Sequence, residues 1–194
     1  MDNQINIQKE NVLNAYKNGN QEQKALLENL FGKDIFQPQD ITERIKTFED
    51  ACNELGEENV LVQAYRTAEF NTSGNQKDVS DVIAYLKLRI ITTALNEGWK
   101  PTFDKNERRY YPWLCICSKD EWKKLDKDGK KRLGTPLRSN NNASANGGLV
   151  YAYAFYAGSL SYTNNGVRLA FKTEELAEYC GKQFIDIWAD FLFA

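Results

Sequence analysis

A chain of 194 residues is long enough to bury one substantial core and short for two, and its 42% hydrophobic, 27% charged and 12% aromatic residues exclude an intrinsically disordered polypeptide. A formal net charge of −2 with a pI of about 5.4 excludes the general positive field that draws in long DNA or RNA, so polymeric nucleic acid is not an expected partner. No run of about 18 apolar residues occurs, and the start MDNQINIQKENV is neither basic nor apolar, so no membrane span or secretion signal is expected and the working place is a cytoplasm.

In chain order, helical periodicity runs from Gln8 to Tyr16 and from Glu22 to Phe31, where Ala25, Leu26, Leu27, Leu30 and Phe31 share a face before Gly32. Asp40 with Glu43 reads as a capping box. Ile45, Phe48, Cys52 and Leu55 then recur at spacings of three and four up to Gly56, predicting a third helix and a helical part over 1–56. The polar run NTSGNQK, 71–77, reads as a mobile loop. A further helix is expected to start near Asp78 or Ser80, with Val82, Ile83, Leu86, Ile90, Ala94 and Leu95 along one side and Gly98 as a left-handed cap. Tyr85 and Ile91 widen that stripe, which predicts a central, buried helix.

Residues 108–172 read as the sheet-forming part. RRYYPWLCIC, Arg108 to Cys117, is β-prone, and Pro112 confines it to a strand start or an edge. Ser118 with Glu121 caps a short helix carrying Trp122 and Leu125, and the lysines from Lys123 to Arg132, broken by Asp126 and Asp128, read as a solvated helix end and turn. LRSNNNASANGG favours an irregular loop. From Leu149 to Ala157, Tyr151, Tyr153 and Phe155 alternate with Val150, Ala152 and Ala154, which predicts three rings on one face of a strand. Asn165-Gly166, between SLSYT and VRLAF, predicts a hairpin and hence an antiparallel sheet. Thr173, Glu174 and Glu175 open a last helix over 173–194 whose face is Leu176, Cys180, Phe184, Ile187, Trp188 and Phe191. The expected architecture is a single helix-rich α+β domain with a small antiparallel sheet from the second half and a packed C-terminal helix.

The absence of histidine removes the usual general base, the common zinc ligand and the Ser-His and Cys-His nucleophile pairs. Neither a GxxxxGK[ST] loop nor a GxGxxG after a strand occurs, and Cys115-x-Cys117 lacks the second pair a zinc knuckle needs. Cys52, Cys115, Cys117 and Cys180 each sit in apolar surroundings and read as small reduced core groups. A non-enzyme with no cofactor and no metal is therefore expected. What stands out is a polar and aromatic band from Arg138 to Lys172. Stacking rings beside guanidinium, amide and hydroxyl donors suit a small anionic ligand with a flat ring, such as a nucleotide derivative. Arg168 is the expected anion partner and Tyr153 and Tyr162 the stacking surfaces, with Asn140 and Arg138 as further contacts. Tyr110, Tyr111 and Trp113 form a second candidate wall. The bland alternative is that tyrosines merely cover a sheet face while Ser and Asn line turns.

The segments IKTFEDACNELG, LKLRIITTALNEGWKPTF, ERRYYPW and GVRLAFKTEELAEYCGKQFIDIWADFL resemble a family of small proteins encoded by phages, prophages and mobile elements of gut Bacteroidales, over about residues 45–113 and 145–194. The resemblance implies a genomic setting in a host bacterial cytoplasm and supplies no catalytic residues. Two roles fit that setting. One is an anti-defence binder that sequesters a nucleotide-derived host signalling molecule as a homo-oligomer. The other is a virion or assembly component acting through protein contacts.

Overall fold

The computed structural model describes residues 6–36, 40–72, 79–102, 104, 106–133, 147–158 and 167–193. The fold class is helix-rich α+β, and residue contacts group the chain into two compact units, Met1–Arg44 and Ile45–Ala194.

In the first unit, α1 (Lys9–Asn18) and α2 (Gln21–Phe31) lie close to their expected bounds. Asn20 and Gln23 form a capping box that starts α2, and Gly32 ends it at φ 82, a left-handed conformation that a side chain disfavours. A 3-10 turn, Lys33–Phe36, stacks Phe36 on Tyr16 with ring centroids 4.1 Å apart. The single helix expected from Asp40 to Leu55 is two. The first, α3 (Ile41–Arg44), is opened by Asp40, whose carboxylate accepts from the Thr42 N–H and hydroxyl. The second, α4 (Phe48–Leu55), restarts because Thr47 and Asp50 make a capping box of their own. That cap, chiefly the Thr47 hydroxyl, holds the Asp50 carboxyl below its ordinary range, so its contribution is present at neutral pH and lost as pH falls through the depressed value.

The second unit continues through α5 (Val60–Thr72), which the sequence reading missed, and α6 (Ser80–Leu95). The expected loop over 71–77 begins inside α5, and 73–77 lie outside the described residues. Both α4 and α5 pack on α6. The buried side of α6 runs Ala84, Leu88, Ile91 and Leu95, with Ile90 and Ala94 beside it, whereas Val82, expected in the stripe, is exposed. The carboxy-terminal half of α6 is therefore the part that sits in the core.

At its end, Asn96 is buried, and its amide ties two segments far apart in sequence. Nδ2 donates to the Ala170 carbonyl at 2.8 Å and Oδ1 accepts from the Lys172 N–H at 3.0 Å. Glu97 follows at φ 48 and Gly98 at φ 82, and the Glu97 carboxylate meets Lys172 Nζ at 2.9 Å. Between those anchors, Phe171 exchanges both backbone hydrogen bonds with Tyr110, at 2.9 and 3.1 Å.

Tyr110 belongs to β1 (Arg108–Ser118), which pairs antiparallel with β2 (Gly147–Gly158) from Arg108↔Gly158 to Ser118↔Gly147. The sheet is antiparallel as expected, but VRLAF is not a hairpin strand. Val167–Leu169 is a 3-10 turn and Phe171 makes the bridge to β1, while Asn165 and Gly166 lie outside the described residues. Because Tyr110 turns its N–H and C=O towards Phe171, Pro112, two residues on, turns its nitrogen to the same side, away from β2. Its missing donor costs the β1–β2 ladder nothing, as an edge position requires.

Ser118 ends β1 and caps α7 (Lys119–Lys124) through the expected box with Glu121, and α8 (Lys127–Leu133) follows. The C-terminal helix expected to run unbroken is α9 (Glu174–Gln183) and α10 (Ile185–Phe193), parted at Phe184, whose φ of −116 and ψ of 32 depart from the helix. Backbone bonds from Phe184 to Cys180 and from Trp188 to Phe184, both 3.1 Å, carry the ladder across the break. No glycine or proline marks it in the sequence. α10 packs on α6 while α9 packs on both strands. The contact of α9 with the strands depends on Gly181, where an added Cβ would lie 2.6 Å from Pro112 Cβ and 2.6 Å from Tyr151 Cδ2.

Two substitutions test this framework. Asn96→Ala removes both side-chain bonds and is expected to lower unfolding free energy by about 2–3 kcal/mol in urea titration. Gly181→Ala is expected to cost about 1–3 kcal/mol, although alanine is the better helix former, because the methyl group has no room. An unchanged midpoint for Gly181→Ala would mean that α9 does not press on the ribbon.

Candidate functional site

The feature that re-aims the rings is a β-bulge. The register shifts between Trp113 and Leu114, which pair with Tyr153 and Tyr151, so Ala152 is the extra residue. A bulge interrupts the alternation of faces, and the expectation of Tyr151, Tyr153 and Phe155 on one face is corrected accordingly. Tyr151 is buried, with Cδ2 and Cε2 against the Gly181 backbone and Lys182 Nζ 5.1 Å from its ring centroid. Burial and the nearby Glu178 and Glu174 carboxylates raise its phenol well above the ordinary value. Tyr153 and Phe155 instead face outward.

They do so together with two further rings. Trp113 stacks on Tyr153 with centroids 5.9 Å apart and planes 4° from parallel, and Phe155 meets Trp113 edge-on at 5.6 Å and stacks on Tyr156 at 5.6 Å. Relative exposures are 39% for Trp113, 51% for Tyr153, 49% for Phe155 and 44% for Tyr156. Single exposed rings are ordinary, but Trp113, Tyr153 and Phe155 in mutual contact, with Tyr156 stacked on Phe155, make a continuous apolar patch of the kind that marks a binding surface. The Arg108 guanidinium carbon stands 4.5 Å from the Tyr156 ring centroid, placing a permanent cation at the margin of the patch.

Of the residues expected at the site, the structure brings Trp113 and Tyr153 into direct contact, although they come from two different candidate walls. Tyr110 is half-buried and touches Tyr156 at 6.0 Å. Tyr111 is buried, and its hydroxyl finds no hydrogen-bond partner among the described residues. Burial pushes its phenol up, with Arg109 pulling the other way. Arg168 is exposed on the 3-10 turn Val167–Leu169, which packs on α6. Arg138, Asn140 and Tyr162 lie outside the described residues. Sequence reasoning missed Arg108, Phe155 and Tyr156 as a group. The signal was there in the density of rings in RRYYPW and YAYAFY, but strict alternation put Tyr151 on the face of Tyr153 and Phe155 and did not set Arg108 and Tyr156 beside them. Arg109, fully buried next to the exposed Arg108, shows how sharply the ribbon separates two adjacent identical residues.

The cysteines are all free thiols. Cys52, Cys117 and Cys180 are buried, whereas Cys115 is exposed, which corrects the expectation that all four pack in the core. Burial pushes the Cys52 thiol up to about 11 and the Cys180 thiol up to about 12, the Trp188 side chain pulling Cys180 weakly back. Among the described residues no three His, Cys, Asp or Glu side chains converge to hold a metal ion, and no helix is long and apolar enough to cross a membrane. No protein-family model, curated protein or solved structure matches the chain.

The thiol arrangement predicts reactivity. At pH 8, near the unperturbed thiol pKa, Ellman's reagent is expected to modify Cys115 rapidly and the other three only after unfolding. The raised values mean that the Cys52 and Cys180 thiolates form only in strongly alkaline solution. Rapid labelling of a second thiol in the folded protein would contradict the burial described.

Proposed function

We propose that the chain is a non-catalytic binding protein whose working surface is the outward aromatic face of the β1–β2 ribbon, and that it captures a small anionic, nucleotide-derived ligand by stacking. The observation that carries this reading is the contact of Trp113, Tyr153, Phe155 and Tyr156 at about half exposure, with Arg108 beside them. Rings offer a nucleobase a flat apolar partner, and a guanidinium offers phosphate a fork of parallel donors. Neither contact requires a general base or a metal, in keeping with a sequence that has no histidine. In a mobile-element setting, a binder of this kind acts by dose: it sequesters a host signalling molecule mole for mole, and a homo-oligomer would multiply the sites.

The same exposed patch favours a second reading, in which the chain is a virion or assembly component. Clustered Trp and Tyr with an adjacent Arg are also the residues that dominate protein–protein hot spots. The two readings differ in what they ask of the rings, since a stacked ligand needs one or two and an interface covers all four.

A thermal-shift screen against nucleotides, cyclic dinucleotides and ADP-ribose derivatives separates them. A ligand at 100 times its dissociation constant is expected to raise the melting temperature by roughly 5–10 °C. Tyr153→Ala and Arg108→Ala are each expected to remove most of that shift. No shift with any compound, together with a concentration-dependent oligomer that Tyr153→Ala dissociates, would replace the binder by the assembly component.

A further inference from the structure

The ribbon carries its positive charge at both ends and its rings in the middle. Arg108 begins β1, and Ser118, its last residue, is the N-cap of α7. Beyond it, residues 119–133 hold seven cations against four carboxylates, in a chain whose total is −2. Lys119, Lys123, Lys124, Lys127, Lys131 and Arg132 are exposed. Two of the four carboxylates are turned back on the chain: Glu121 accepts from the Ser118 N–H and hydroxyl, and Asp126 accepts from the Gly129 N–H at 2.7 Å. α7 contacts β1 and α8 contacts β2, so this basic segment belongs to the ribbon.

Arg108 and Ser118 stand ten residues apart along β1, which at the rise of an extended strand is about 33 Å. A single nucleotide whose phosphate meets Arg108 cannot also reach α7 and α8. A ligand that repeats phosphate and base can. We propose, resting on the reading of the ribbon as a nucleotide-stacking surface, that its ligand is a short run of single-stranded nucleic acid, with bases on Trp113, Tyr153 and Phe155 and phosphates met by Arg108 and the α7–α8 cations. Single strands expose the base faces that rings need, whereas a duplex hides them. The acidic whole-chain charge opposes tight binding of long polymers, and the local excess near the ribbon supports a short one.

The test is fluorescence anisotropy of the full chain with a labelled oligothymidylate of about twelve residues, with thymidine monophosphate and a duplex of equal length as competitors. The oligonucleotide is expected to bind at least about tenfold more tightly than the monophosphate, with affinity falling as salt rises. Tyr153→Ala, at an exposed site where circular dichroism can verify folding, is expected to weaken it by about tenfold. Lys127→Glu combined with Lys131→Glu is expected to weaken binding and flatten its salt dependence. If the monophosphate binds through Tyr153 as tightly as the oligonucleotide, this inference falls and the small-ligand reading stands. If neither binds, both fall. Oligonucleotide binding that Tyr153→Ala leaves intact, or a duplex that competes equally, would overturn the inference by showing that the rings are not engaged.

Discussion

The second unit hangs on the side chain of Asn96. Its amide sits where α6 ends, and one donor and one acceptor hold Ala170 and Lys172 on either side of Phe171. Phe171 can then exchange both of its backbone bonds with Tyr110, which fixes one edge of β1 and leaves the opposite edge to β2. A carboxylate in place of the amide would lack the donor, and an apolar side chain would lack both. Buried polar groups are costly unless fully paired, so this position tolerates little else. Beside the packing of α9 on both strands, the end of α6 is thereby tied to the edge of the ribbon by a residue with two complementary ends.

The ribbon in turn has two sides with different obligations. On one, Gly181 lets α9 approach until its backbone touches Pro112 and Tyr151, so a ring from the middle of β2 becomes a core group. On the other, the Ala152 bulge lets the next rings leave the core altogether. Small residues at two positions, Gly181 in the helix and Ala152 in the strand, are what permit one tyrosine to be buried and its neighbour two residues away to be exposed. The bulge is a structural device for presenting Tyr153 and Phe155 on a strand whose preceding residues are anchored.

Much of the fold was legible because it depends on local chemistry. The capping pairs Ser118–Glu121 and Thr173 with its acids, the end of α6 near Gly98 and the antiparallel sheet follow from residue types that satisfy backbone groups or relieve φ. The break at Thr47 had a local cause too, since Thr47 and Asp50 form a box, but the uninterrupted spacing of Ile45, Phe48, Cys52 and Leu55 masked it. Illegible features were those set by tertiary contacts. α5 carries Val60 and Phe70 at the surface, so its apolar pattern is blurred. Among the described residues the partner of β1 on its second edge is Phe171, which no strand pattern announces. For the exposed ring cluster, composition pointed to the two strands that carry it and to Trp113 and Tyr153. The faces required the bulge, and a bulge at alanine leaves no mark in an alternating sequence.

The chemistry of the exposed face follows from what rings lose and gain there. Aromatic side chains have few rotatable bonds, and stacking between Trp113 and Tyr153 and between Phe155 and Tyr156 restricts those bonds before any ligand arrives. The entropy of ordering this face is then largely offset in folding, so a flat ligand of the kind proposed would meet a preformed platform. Arg108 completes it because its guanidinium lies against Tyr156. Lysine at that position would retain the charge and lose both the planar fork and the stacked geometry. The distinction between a cation that merely sits near the rings and one that is oriented by them is what makes this margin of the ribbon suited to an anion joined to an aromatic ring.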